Sequence, residues 1–278
     1  MKLKSILLNN KTEYIAKIYY LFLHIITYPK IKKILKENLE LKNLNKNDEC
    51  FVFLTGRSLN EFKLADFSDK ITFSCNEIAR HKDFSLLNLN YYAALDPLTT
   101  FKNKKDLEEF YVKMLNELSL KSNNKNMVCL LSYTLKSFIE KVNLLSGYKK
   151  YYFIHKRFNK NKIDAIEFDK PNNLMPGVVF FLLSLAIYMG FKKIYLIGAG
   201  YTYHPFQWHH FYDPYESEEY KENARIYADT KTPPFHHTIK ALANQYNAQI
   251  LNVVPDGYTS PVYEGISVKD FKILLNLS

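Results

Sequence analysis

The sequence predicts an α/β protein: a Rossmann-like, doubly wound and mostly parallel sheet, with a lid excursion and an amino-terminal helix. Three observations predict it. Short apolar runs recur along the chain and end on small or polar residues, as strands of such sheets do. Helical patterns and turn residues fill the intervals between them. One unit, residues 175–198, reads as a helix apolar nearly all round, followed at once by an apolar strand, which is a helix buried on a parallel sheet.

The first element is the run from Tyr14 to Tyr28, nearly all apolar or aromatic and broken by Lys17 and His24. Lys2, Lys4 and Lys11 precede it, and Lys30, Lys32 and Lys33 follow. It falls short of the roughly 20 apolar residues of a spanning helix, and Tyr28-Pro29-Lys30 is no signal-peptide cleavage site. Two readings are open, an interfacial helix or an ordinary helix packed on the domain; the basic flanks and aromatic face favour the interfacial one. Residues 36–49 read as a linker or an exposed helix. The expected organisation is residues 1–45 as membrane-associating helix and linker, and 46–278 as the Rossmann-like domain.

Cys50 to Leu54 reads as the first strand, running into Thr55-Gly56-Arg57-Ser58. Ile71 to Cys75 is a second, ending on Asn76, and Tyr91 to Leu95 a third, ending on Asp96-Pro97. A charged helical pattern covers 103–120, and Met127 to Ser132 is a fourth strand, with a helix behind it to Leu145. Tyr151 to Ile154 is a fifth strand. Gly177 opens the apolar helix Val178 to Met189, Gly190 stops it, and the strand Ile194 to Ile197 ends on Gly198-Ala199-Gly200. Residues 201–235 are an aromatic and His-rich excursion of lid or binding-loop length. A helix resumes around His236 to Tyr246, followed by a strand Ile250 to Val254 and Pro255-Asp256-Gly257.

Composition narrows the partners. The 278-residue chain carries a formal net charge of +10, which suits an anionic surface or an anionic small substrate. No Arg-rich or Lys-rich block and no zinc-finger or RNA-binding signature supports nucleic acid. The 22 Tyr and 20 Phe against one Trp accompany abundant Lys, Asn and Ile, a bias of AT-rich coding that lends the aromatics little functional weight. Cys50, Cys75 and Cys129 are widely spaced within apolar runs and read as buried free thiols.

In doubly wound sheets ligands bind beyond the carboxyl ends of the strands. Standing there are Thr55, Gly56, Arg57 and Ser58, then Asn76, Asp96, Gly198 to Tyr203, and Pro255-Asp256. Each alone is an ordinary turn residue, but their recurrence suits a nucleotide with ribose hydroxyls and base edges to satisfy. The first loop lacks the Lys and spacing of a P-loop and the dinucleotide glycine pattern. Arg57 is placed to counter a donor phosphate, with the Gly56 amides beside it. Histidine titrates near neutrality and is the side chain to consider for acid–base work. His204, His209, His210 and Asp213 match no standard zinc spacing, and His236 and His237 are both candidates for a general base.

The order of these motifs resembles the bacterial lipooligosaccharide sialyltransferases of glycosyltransferase family 42, and the related pterin-pyrophosphokinase-like domains of surface-glycan clusters. The resemblance rests on Leu54-Thr55-Gly56-Arg57-Ser58-Leu59, Cys75-Asn76, Asp96-Pro97, Pro176-Gly177-Val178, Ala186 to Gly198 (AIYMGFKKIYLIG), Tyr201 and Tyr203, and His236-His237 ahead of Ile239-Lys240-Ala241-Leu242. It covers residues 50–255. It implies a CMP-activated acidic sugar as donor, no metal or other cofactor, and metal-independent inverting transfer to a lipooligosaccharide or capsule acceptor. In its terms His236 or His237 is the base and Tyr201 and Tyr203 steady the leaving phosphate. Thr55, Gly56, Arg57, Ser58, Asn76, Asp96, Gly177 and Gly198 hold the donor, and His210 and Asp213 serve the acceptor or the lid. Thr55 replaces the family's Asn, Arg57 its Pro, and Met175-Pro176 its Thr-Ser. Two alternatives stay open: a metal-dependent diphosphokinase or other phosphotransferase on the same scaffold, and a non-catalytic glycan-assembly relative. The expected location is cytoplasmic, peripheral on the cytoplasmic face of the membrane, with a homo-oligomer left open.

Overall fold

The computed structural model describes residues 29–45, 48–95, 104–154, 165–171, 177–199, 233–258 and 260–277. Its strands are β1 (Glu49–Phe53), β2 (Thr72–Cys75), β3 (Tyr91–Ala94), β4 (Val128–Ser132), β5 (Lys149–Phe153), β6 (Lys193–Ile197), β7 (Gln249–Val254) and β8 (Glu264–Ser267). They form one 8-stranded sheet in the order β5-β4-β3-β2-β1-β6-β7-β8, and every pairing is parallel. The helices are α1 (29–37), α2 (Lys104–Lys121), α3 (Lys136–Val142), α4 (Val178–Tyr188), α5 (Pro233–Gln245) and α6 (Val268–Leu275).

Strand alternation sorts the core into two layers. Cys50, Val52, Phe73, Cys75, Ile194 and Leu196 point to the face covered by α4 and α5. Phe51, Phe53, Tyr92, Tyr195 and Ile197 point to the other, covered by α2, α3 and α6. Both faces are closed, which is why the strands read as nearly continuous apolar runs. The aromatics fill this interior: Phe51 stacks on Tyr195 with ring centroids 5.1 Å apart, and Phe73 on Tyr91 at 4.5 Å. All three cysteines are buried and free. Burial pushes the Cys75 and Cys129 thiols up to about 12, so neither is a nucleophile at neutral pH.

The chain winds outward from β1 to β5, and α4 then brings it back across β1, β2 and β3 to β6. The order therefore reverses between β1 and β6, the place where such sheets open a crevice. There the two halves are stitched by backbone: Leu54 N donates to Ile197 O at 2.8 Å, and Gly56 N to Gly198 O at 2.8 Å. Gly198 has φ +72, and a Cβ on it would lie 2.4 Å from Leu54 O. Glycine is required twice over, by conformation and by space.

Several expectations are corrected. The connections β1–β2 and β2–β3 hold 3₁₀ turns (Arg57–Glu61, Leu64–Phe67, Asn76–Arg80, Phe84–Leu86) rather than α-helices. Residues 36–45, read as linker or exposed helix, carry Asn38 and Leu41 into the core, beside Leu35 of α1. Asn38 Nδ2 donates to Tyr152 O at 2.9 Å and to Phe168 O at 2.8 Å, which ties this segment to β5. β8 and α6 were not foreseen; the strand is half-exposed and lacks an apolar run. Ser267 and Asp270 did carry a capping signal, and Ser267 Oγ accepts from Asp270 N at 3.0 Å. Among the described residues no helix is long and apolar enough to cross a membrane; the run 14–28 lies outside them.

Gly198→Ala is expected to cost about 3 kcal/mol, from left-handed strain and backbone overlap together. Gly147, at φ +84 and with nothing within 4 Å of where a Cβ would stand, should lose only about 1 kcal/mol on the same change. Denaturant melts of the two variants compare them directly, and equal losses would refute the close-approach argument.

Candidate functional site

The carboxyl edge of the sheet gathers several of the expected residues. Beyond β1, Thr55 is buried, Gly56 bridges to Gly198, and Arg57 is exposed at the start of a 3₁₀ turn. Ser58 Oγ is buried with no hydrogen-bond partner among the described residues. A buried hydroxyl left unpaired costs free energy, so its place at the switch point suits a ligand that supplies the missing bond.

Asn76 follows β2 at φ +50. Most other non-glycine residues in this left-handed region are asparagines too (Asn43, Asn143, Asn247, Asn276), and asparagine tolerates it best. Asn143 and Asn276 cap the carboxyl ends of α3 and α6. Asn76 instead stands at a strand end, where its carbonyl accepts from Tyr92 Oη at 2.8 Å and the half-exposed residue borders the crevice.

Two helices begin at this same edge. Gly177 is the N-cap of α4, with extended backbone and no side chain of its own to cap the first turn. Its leading amides therefore present donors and the positive end of the helix dipole. α5 starts at Pro233, so His236 and His237 sit inside its first turns rather than ahead of it. Phe180 of α4 meets the ring of Phe235 at 5.5 Å and that of His236 at 4.6 Å, which locks the two helix starts together.

The histidines part company here. His236 is buried, and its Nδ1 shares a hydrogen bond of 2.8 Å with Tyr263 Oη. Burial, and then the neighbouring His237, push its pKa down to about 4, so it is neutral at physiological pH. His237 is exposed. Tyr263 was missed by the sequence reading; it lies 27 positions from His236, and no pattern connects them.

Tyr201, Tyr203, His210, Asp213 and Asp96 lie outside the described residues. Asp256 is taken up structurally, accepting from Lys269 N at 3.1 Å at the start of α6. Among the described residues no group of three or more His, Cys, Asp and Glu is placed to hold a metal ion. A separate groove of about 600 Å³ lies between α1, α3 and β5, lined by Lys33, Glu37, Lys136, Glu140, Lys150 and Tyr152 among others. β5 is four strands from β1, about 19 Å at ordinary strand spacing, so that groove is not the switch-point crevice.

No protein-family model matches the chain, and no curated protein sequence matches it. Among solved structures it is similar to the MAf glycosyltransferase from Magnetospirillum magneticum AMB-1, at 8% identity and TM-score 0.48, covering 87% of this chain. The chain spans only 38% of that protein's length. It is similar also to the sialyltransferase CstII from Campylobacter jejuni in complex with cytidine-5'-monophosphate, at 15% identity and TM-score 0.47, covering 80% of this chain and 86% of that one. An alpha-2,3-sialyltransferase from Campylobacter jejuni in apo form follows at 16% identity and TM-score 0.41, covering 79% and 81%. At such identities and scores, what this chain does rests on its own residues.

The His236–Tyr263 pair gives a pH signature. An unfolded histidine takes up its proton near pH 6.5, whereas folded His236 does so only near pH 4. Between those values the unfolded chain binds more protons, so stability falls as the pH falls, by about 3 kcal/mol from this residue. Melting temperature against pH for wild type and His236→Gln should show the flatter slope in the variant; identical slopes would place His236 in water.

Proposed function

We propose that the chain is a glycosyltransferase that takes an acidic sugar from a CMP-activated donor and passes it to a surface-glycan acceptor. The observation that carries this reading is the reversal of strand order between β1 and β6, where sheets of this kind bind ligands beyond the carboxyl ends of their strands. Gly56 N donates to Gly198 O there, and Ser58 Oγ, two residues on, is buried with no partner among the described residues. The order of motifs around that crevice, which resembles glycosyltransferase family 42, supplies the donor class.

In this reading the nucleotide lies across Thr55, Gly56, Arg57 and Ser58, with Asn76 and Asp96 toward its polar edges and Gly177 below. Arg57 and the uncapped amides of α4 face the phosphate, where charge grows as the sugar–phosphate bond breaks. The hydroxyls of Tyr201 and Tyr203 complete that set, so phosphate charge is met by hydrogen bonds instead of a divalent ion. Of the two histidines His237 is the better base: it is exposed, while His236 is buried against Phe180 and occupied at Nδ1. The acceptor hydroxyl gives its proton to His237 and its oxygen bonds the anomeric carbon. The bond to CMP breaks on the opposite side, inverting the centre. The apolar run 14–28 with its lysines holds the enzyme at the cytoplasmic membrane surface, near a lipid-linked acceptor.

Thermal shift with CMP, CDP, UDP, GDP and ATP, each with and without Mg²⁺, tests the donor class. CMP alone, at 100 times its dissociation constant, should add about 2.7 kcal/mol of stability. Stabilisation only by ATP with Mg²⁺ would assign phosphotransfer instead, and no shift with any nucleotide a non-catalytic role.

The base is tested separately. His237→Ala should lower transfer at least about a hundredfold, the usual reach of a general base, while CMP still stabilises the variant. Transfer at the wild-type rate would remove His237 from the mechanism.

A further inference from the structure

The fold gathers charge on one edge of the sheet, far from the crevice. α1 lies along β5: Asn38, just beyond its end, bonds to Tyr152 O and Phe168 O, and Glu40 accepts from both Lys149 Nζ and Tyr151 Oη at 2.8 Å. The groove between α1, α3 and β5 has Lys33 on one wall and Lys136 and Lys150 on the others. Lys30, Lys32, Lys33 and Lys36 stand exposed along α1. Two of these charges cancel in pairs, Glu40 with Lys149 and Glu140 with Lys136, and the exposed Glu37 stands against Lys30, Lys32, Lys33, Lys36 and Lys150, which leaves the edge net positive. Segments distant in sequence thus build one positive edge. It sits where the chain arrives from residues 14–28, whose aromatic and apolar side chains come immediately before α1.

We infer that this edge, built from α1, α3 and the start of β5, is the face that docks the domain on an anionic lipid surface. The inference rests on the membrane reading above and adds to it which side of the folded domain faces the lipid. Apolar residues from the amino-terminal run enter the headgroup region, and the edge lysines lie in the anionic layer around them. Each basic residue near such a surface contributes on the order of 1 kcal/mol, about fivefold in binding, and the effect decays within a Debye length. A positive face at the anchoring point therefore adds affinity that a positive face elsewhere on the domain does not. Because β5 is the outermost strand, this orientation leaves the β1–β6 crevice uncovered.

The test is co-sedimentation of the full chain with vesicles of phosphatidylglycerol and phosphatidylcholine, and with phosphatidylcholine alone. Wild type should bind the mixed vesicles, more weakly as salt rises, and the neutral ones poorly. The variant Lys32→Gln/Lys33→Gln/Lys36→Gln/Lys150→Gln should lose about a hundredfold or more. A control of equal charge change, Lys63→Gln/Lys240→Gln/Lys269→Gln/Lys272→Gln, lies on other faces and should lose no more than about fivefold. Equal losses in both variants, or none in the first, would overturn the edge assignment while leaving the amino-terminal anchor intact. If wild type binds no vesicles, the membrane reading falls with it; if it binds single-stranded RNA instead, the edge belongs to nucleic acid. Should the fourfold variant melt early, Lys33→Gln/Lys36→Gln, both exposed on α1, should still lose more than tenfold.

Discussion

The approach of two backbones at the β1–β6 reversal is the constraint on which the rest of this structure depends. Leu54 and Gly198 directly follow strands far apart in sequence, yet a single added carbon on Gly198 would overlap the Leu54 carbonyl. That contact brings the Thr55–Ser58 turn over the end of β6, at the point where the strand order reverses. It also forces the long return through α4, because only a crossover on the opposite face can place β6 next to β1 with parallel sense. The apolar character of α4, buried at nearly every position, follows from that placement between the sheet and α5.

A second consequence is the division of labour between two adjacent histidines. α4 and α5 both start at the carboxyl edge, and Phe180 wedges against Phe235 and His236. One histidine must then face the interior, and the helix turns the next one outward. His236 becomes a neutral strut between α5 and the β7–β8 connection through Tyr263, and His237 stays exposed. Burial strips His236 of water and lowers its proton affinity, although the very next side chain on the helix is exposed.

How much of this was legible in the sequence varies with the kind of signal. The strands β1 to β7 and the buried helix α4 were readable, since strands closed on both faces must be apolar throughout and α4 is apolar all round. The 3₁₀ connections after β1 and β2 were not, because short turns leave no periodicity. β8 escaped because it is an edge strand with little to bury. The burial of Asn38 was hidden too: a polar residue in a charged stretch reads as surface until its two carbonyl partners are known. For the site, Thr55 to Ser58, Asn76 and Gly198 stand out by their positions after apolar runs and Gly177 by opening the apolar helix, and the sheet topology brings them to one edge. Tyr263 had no signal, since its role exists only once the β7–β8 connection folds back on α5. Asp96, Tyr201 and Tyr203, read from strand ends and motif order, and His210 and Asp213, read in the His-rich excursion, lie outside the described residues.

The central claim is that the ligand lies in the crevice at the β1–β6 reversal, and amide chemical-shift mapping with CMP tests it most directly. The largest perturbations should fall on Gly56, Arg57, Ser58, Asn76, Gly177 and Gly198. Perturbations confined to the groove of Lys33, Lys136, Lys150 and Tyr152 at the far edge, with those amides unmoved, would contradict it.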